Sequence, residues 1–131
     1  MGRTGYLASP LMTISNRVLV VEDNEIINNL LVRYLEQYGF LPDSACTYKD
    51  AVILLKRENY DLIVLDFKLD DYKSGLDLLP FVDKSTKIIL LGYDSGCVDE
   101  GKLNNRVDEY LSKAFRGDEL AVKARALLNV W

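Results

Sequence analysis

Four residues could do chemistry together. Glu22 and Asp23 close one apolar run, RVLVVED (17–23), Asp66 closes a second, DLIVLD (61–66), and Lys113 closes a weaker third, EYLSK (109–113). If these runs are parallel strands of one sheet, the four side chains converge at its carboxyl edge. Carboxylates held close together repel, and one is driven neutral unless a cation balances them. Oxygen-only ligands, partly hydrated, suit Mg²⁺. A carboxylate beside that ion can attack a phosphoryl group and become an aspartyl-phosphate. The ion and an ammonium then share the charge on the phosphoryl oxygens. Any one acid at a strand end is usually a solvated turn or a helix cap. Four such residues, closing three separate runs, make a far more specific pattern.

The elements that would position them alternate. RVLVVE (17–22) is continuously apolar, as a strand buried on both faces should be. Asn24 can cap a helix carrying Ile27, Leu30, Leu31, Tyr34, Leu35 and Tyr38, which Gly39 ends. FLPDSAC (40–46) contains a proline and suits a sheet edge. Thr47 and Asp50 open a second helix with Ala51, Ile53, Leu54 and Leu55 inward. After DLIVLD comes the loop FKLDDYKSG (67–75), then a helix from Leu76 to about Val82 interrupted by Pro80. KIILLG (87–92) is a fourth strand, residues 95–107 are a poor helix, and 109–113 is the fifth strand. Asp118 to Val130 is an amphipathic helix with Leu120, Ala124, Leu127 and Leu128 inward. Five β-α units predict an α/β fold, a doubly wound five-stranded parallel sheet with helices on both faces.

Composition narrows the function. The 131 residues suit one domain, expected over 17–131 behind a disordered tail at 1–16; Met12 marks where a shorter chain could begin. A net charge of −4 and no basic stripe argue against direct nucleic-acid binding. No apolar stretch is long enough to span a bilayer, and no signal peptide opens the chain, so a cytoplasmic location is expected. Cys46 and Cys97 then read as reduced thiols. With no histidine, the chain lacks histidine bases, most zinc sites and any phosphohistidine of its own.

VLVVEDN (18–24), YDLIVLDFKL (60–69) and EYLSKAF (109–115) resemble the receiver domains of two-component response regulators, over essentially Arg17 to Leu128. The resemblance implies a flavodoxin-like sheet of order 2-1-3-4-5. It makes Asp66 the phosphoacceptor, Asp23 the direct Mg²⁺ ligand and Glu22 the acid that reaches the metal through water. Lys113 becomes the lysine that pairs with the phosphoryl group, the backbone carbonyl of Lys68 a further ligand, and Tyr110 the aromatic switch residue.

The chain also departs from the family pattern. Gly92 stands where a Thr or Ser hydroxyl usually bonds the phosphoryl group, leaving Tyr93 or Ser95 as candidates to substitute. Ala114 replaces the proline after the lysine, so a trans peptide is expected there. Asp70 replaces a proline four residues past the acceptor, and Gly75 comes one residue later than usual. Lys68 and Asp94 could pair across the mouth of the site and tune the lifetime of the phosphoryl group.

The expected function is to take a phosphoryl group from a histidine kinase or phosphotransfer protein and relay the signal by protein–protein interaction. The chemistry would be limited to Mg²⁺-dependent self-phosphorylation and autodephosphorylation. A pseudo-receiver that signals without phosphorylation is the alternative that Gly92 and Ala114 favour. A haloacid-dehalogenase-like hydrolase fits poorly, because it wants an acid where Lys68 stands. No output domain is seen after Val130 and Trp131, so the chain acts alone or is a fragment. Its last segment resembles receivers that form homodimers through the fourth helix, fifth strand and fifth helix. Asp108 or Glu109 would then face Lys123 or Arg125.

Overall fold

The computed structural model describes residues 16–70, 73–93 and 105–130. The expected tail up to residue 15, Asp94, Ser95, Cys97 and most of the poor helix lie outside these residues. Five strands, β1 (Arg17–Val21), β2 (Leu41–Ala45), β3 (Leu62–Asp66), β4 (Lys87–Gly92) and β5 (Glu109–Ser112), form one sheet. Every pairing is parallel and the order is β2-β1-β3-β4-β5, the flavodoxin-like topology. Helices α1 (Glu25–Gln37), α2 (Tyr48–Arg57) and α3 (Gly117–Leu128) and a 3₁₀ segment (Gly75–Phe81) cover it.

Side chains alternate along a strand, so each apolar run feeds two cores. Val18, Val20, Leu62, Val64, Ile89, Leu91 and Leu111 pack with Leu31 and Leu35 of α1 and Leu120 and Ala124 of α3. Leu19, Val21, Ile63, Leu65, Ile88 and Leu90 pack on the other face with Ala51 of α2 and Leu78 of the 3₁₀ segment. This double burial is why β1, β3 and β4 read as unbroken apolar runs. β2 is an edge strand with one partner, which is how it tolerates Pro42.

The caps follow the sequence. Asn24 Oδ1 accepts from Ile27 N–H at 3.0 Å, and Thr47 Oγ1 accepts from Asp50 N–H at 3.0 Å. Gly39 has φ +90°, a left-handed conformation that ends α1 at little cost only for glycine. Three details differ from expectation. The segment after the loop is 3₁₀ over Gly75–Phe81 rather than α over 76–82, because Pro80 has no N–H for an α-helical bond. Ser74 caps it: Leu76 N–H donates to Ser74 Oγ at 3.1 Å and Ser74 N–H to Asp77 Oδ2 at 2.9 Å. Leu30 and Ile53, placed inward by periodicity, are 41% and 43% exposed. In α1 the buried stripe is instead Asn28, Leu31 and Leu35. α3 starts one residue early, at Gly117, and stops at Leu128 on a left-handed Asn129. Among the described residues no helix is long and apolar enough to cross a membrane, and no peptide bond is cis, so Lys113–Ala114 is trans as expected.

Candidate functional site

The alternation that builds the cores also builds the site. Glu22, Asp66 and Lys113 continue the parity of Val20, Val64 and Leu111, so all three lie on the same face at the carboxyl edge. Backbone pairing runs one residue past the strands and fixes them there. Glu22 N–H donates to Ala45 O at 3.1 Å, and Lys113 N–H to Gly92 O at 2.9 Å. Buried Asn28 holds the turn after β1, its Nδ2 donating to Glu22 O at 3.0 Å and Ala45 O at 3.2 Å.

Lys113 Nζ sits 2.9 Å from Glu22 Oε1 and 3.1 Å from Asp66 Oδ1. Glu22 and Asp66 are almost wholly buried, at 0% and 1% exposure, while Asp23 is exposed. Burial raises the Asp66 carboxyl first, the Glu22 charge adds to it, and Lys113 only partly offsets them, so its pKa is pushed up to about 8. Burial works against the Lys113 ammonium, yet the hydrogen bond to Glu22 and the charge of Asp66 outweigh it and raise its pKa. Glu22 Oε2 accepts from Asn24 N–H at 3.0 Å. Asp66 Oδ1 also accepts from Lys68 N–H at 3.3 Å, whereas the buried Asp66 Oδ2 has no hydrogen-bond partner. Such an orphaned oxygen is costly unless something binds it.

Glu22, Asp23 and Asp66 offer oxygens that all lie within 4.8 Å of one another. Three carboxylates against one ammonium leave a formal charge of −2 when all are ionised, which a divalent cation neutralises. The acids present therefore fit a hard metal ion.

The two arms of the loop after Asp66 pair with each other. Lys68 bridges Ser74 antiparallel, with Gly75 N–H on Phe67 O at 2.7 Å and Leu69 N–H on Lys73 O at 3.1 Å. That pattern turns the backbone groups of Lys68 away from Ser74, and its N–H reaches Asp66. Gly75 is there because a Cβ would come 2.0 Å from the Asp66 carbonyl oxygen. Asp70, in place of the usual proline, holds the far side of the loop with its side chain: Lys73 N–H donates to its Oδ1 at 2.7 Å.

At the end of β4, Gly92 places no hydroxyl in the site. Its carbonyl instead accepts the Tyr110 hydroxyl at 2.8 Å, and Tyr110 packs on the α2-side core. The Tyr93 ring centroid lies 4.8 Å from Lys113 Nζ. Sequence patterning brings out Glu22, Asp23, Asp66 and Lys113, and the structure gathers all four. It misses Asn28, and it brings in Tyr93 only as a candidate to replace the absent hydroxyl, not as a neighbour of Lys113. Asn28 sits among apolar residues at helical spacing, a buried polar residue that must serve a backbone group; Tyr93 carries no periodic signal. Asp94, the partner expected for Lys68, lies outside the described residues. Of the pairs proposed for a dimer, Lys123 Nζ meets Glu109 Oε1 at 3.2 Å within one chain.

Residues 18–125 match the response regulator receiver domain family. The chain is 31% identical over 116 residues to the transcriptional regulatory protein YxdJ of Bacillus subtilis, covering 87% of this chain and 51% of that protein. It is 33% identical over 117 residues to the transcriptional regulatory protein PmrA of Pectobacterium parmentieri, covering 86% and 52%. Among solved structures it superposes on the Francisella response regulator 1452 receiver domain with a TM-score of 0.76 and 31% identity, covering 88% and 98%. The chain belongs to the response regulator receiver domain family. It spans about half the length of the curated relatives it matches.

Proposed function

We propose that this receiver accepts a phosphoryl group on Asp66 from a partner histidine kinase or phosphotransfer protein and passes the signal on by protein–protein contact. The observation that carries the reading is the division of labour at Asp66. Lys113 and the Lys68 N–H hold Oδ1, and the buried Oδ2 is left without a partner. Oδ2 attacks phosphorus, the bond from phosphorus to the donor nitrogen breaks, and the donor imidazole leaves. Since these 131 residues contain no histidine, the donor imidazole lies outside them. Lys113 turns its ammonium to the phosphoryl oxygens as their charge builds. Glu22, Asp23, the Asp66 carboxylate and the Lys68 carbonyl would hold Mg²⁺, which when bound neutralises charge on the cluster and on the phosphoryl group. Water later attacks phosphorus, restoring the carboxylate and releasing phosphate. We place the chain in the cytoplasm with such a kinase.

Gly92 favours a second reading, a pseudo-receiver that signals without phosphorylation, because strand β4 ends with no side chain to bond the phosphoryl group. Intact mass after incubation with Mg²⁺ and acetyl phosphate separates the two. The phosphoacceptor reading expects one added phosphoryl group, absent in EDTA and in Asp66→Asn. No adduct on a chain that still binds Mg²⁺ would leave the pseudo-receiver standing.

A further inference from the structure

The lysine of the site touches something other than its two carboxylates. Lys113 Nζ lies 4.8 Å from the centroid of the Tyr93 ring. The Lys113 side chain is 7% exposed, whereas Tyr93 is 71% exposed. A ring that is mostly in solvent therefore lies against an ammonium that is almost entirely out of it. The face of an aromatic ring is electronegative and attracts a cation, more strongly as water is removed from between them.

The peptide that presents this ring is itself fixed. Gly92 O accepts both Lys113 N–H, at 2.9 Å, and the Tyr110 hydroxyl, at 2.8 Å. Tyr93 thus leaves β4 from a carbonyl tied to the backbone of Lys113 and to the side chain of β5. With no side chain on Gly92, the next residue along is the one whose side chain reaches the lysine.

We propose that Tyr93 is a positioning residue for Lys113, its ring closing the ammonium off from solvent and holding it on Glu22 and Asp66. The ring acts through its face, so the hydroxyl is dispensable. The consequence for phosphoryl transfer rests on the phosphoacceptor reading: a loosened Lys113 meets the developing charge less well, and transfer slows.

The test uses the whole chain and two variants of an exposed residue, Tyr93→Leu and Tyr93→Phe. A limiting dose of acetic anhydride followed by peptide mass spectrometry reads how available the Lys113 amine is, with exposed Lys84 as internal reference. Loss of the ring in Tyr93→Leu should raise acetylation at Lys113 about threefold to tenfold, and Tyr93→Phe should restore the parent rate. Equal acetylation in parent and Tyr93→Leu would overturn the proposal. So would a Phe variant that behaves like Leu, since that would assign the contact to the hydroxyl. The rate of phosphorylation by acetyl phosphate, measured on the same proteins, should fall in Tyr93→Leu and recover in Tyr93→Phe. A parent that takes no phosphoryl group would remove the phosphoacceptor reading, while acetylation would still decide the role of Tyr93.

Discussion

At the scale of the residue, Asp66 is a carboxyl group that the fold leaves under tension until a cation arrives. Its pKa is about 8 in the folded chain against 3.8 for a free carboxyl, chiefly from burial and the neighbouring Glu22 charge. Between those values the folded chain binds more protons than the unfolded one, so stability falls as pH rises through this window. Metal-free protein should therefore lose stability from about pH 5 to pH 8, and Asp66→Asn should remove that slope and stabilise the chain at pH 8 by roughly 1–3 kcal/mol. Thermal melts in EDTA across this range check it. A parent and variant with parallel pH profiles would show that Asp66 carries no such cost. Gly75 gives a second prediction at this scale. Any side chain there runs into the Asp66 carbonyl, since even a Cβ comes within 2.0 Å. Gly75→Ala should cost roughly 2–4 kcal/mol in denaturant unfolding and slow phosphorylation, because β3 or the loop must shift.

At the scale of the element, the site is a by-product of strand periodicity. Glu22, Asp66 and Lys113 converge because each continues a strand's alternation at the same edge. That much was legible in the sequence, since an acid or lysine closing an apolar run can be read directly. The supports were less so. Asn28 falls where α1 should bury an apolar residue, and only the structure shows it bonding two carbonyls that meet behind the site. Asn28→Leu should destabilise the chain by about 1–3 kcal/mol in urea unfolding, because Glu22 O loses its side-chain donor in a buried place. It should also weaken Mg²⁺ binding, as the Glu22–Asp23 turn loosens. Unchanged Mg²⁺ affinity would confine Asn28 to a packing role. The 3₁₀ segment was read as an α-helix for a simple reason: pattern alone signals that Pro80 interrupts a helix, not which helix forms around it.

At the scale of the whole molecule, strand order and fold were legible because five β-α repeats leave few alternatives and the motifs supply the order. Partners were not, since surfaces carry no comparable periodicity. The Glu109–Lys123 pair shows the difference. Charges set aside for a homodimer meet at 3.2 Å within one chain, both partly exposed. Lys123→Ala should therefore change stability by less than about 1 kcal/mol and leave oligomeric mass unchanged by light scattering. A shift in mass would return the pair to an interface. The chain spans about half the length of the curated relatives it matches, which are transcriptional regulatory proteins.

If Asp66 carries the phosphoryl group, chemical trapping finds it there. Protein phosphorylated with acetyl phosphate and Mg²⁺ is reduced with borohydride, which converts an acyl phosphate to an alcohol at the modified residue, and the peptides are sequenced by mass spectrometry. Conversion is expected at position 66 alone, dependent on Mg²⁺. Conversion at Asp23 or Glu22 with Asp66 intact, or none on a chain that binds Mg²⁺, would contradict it.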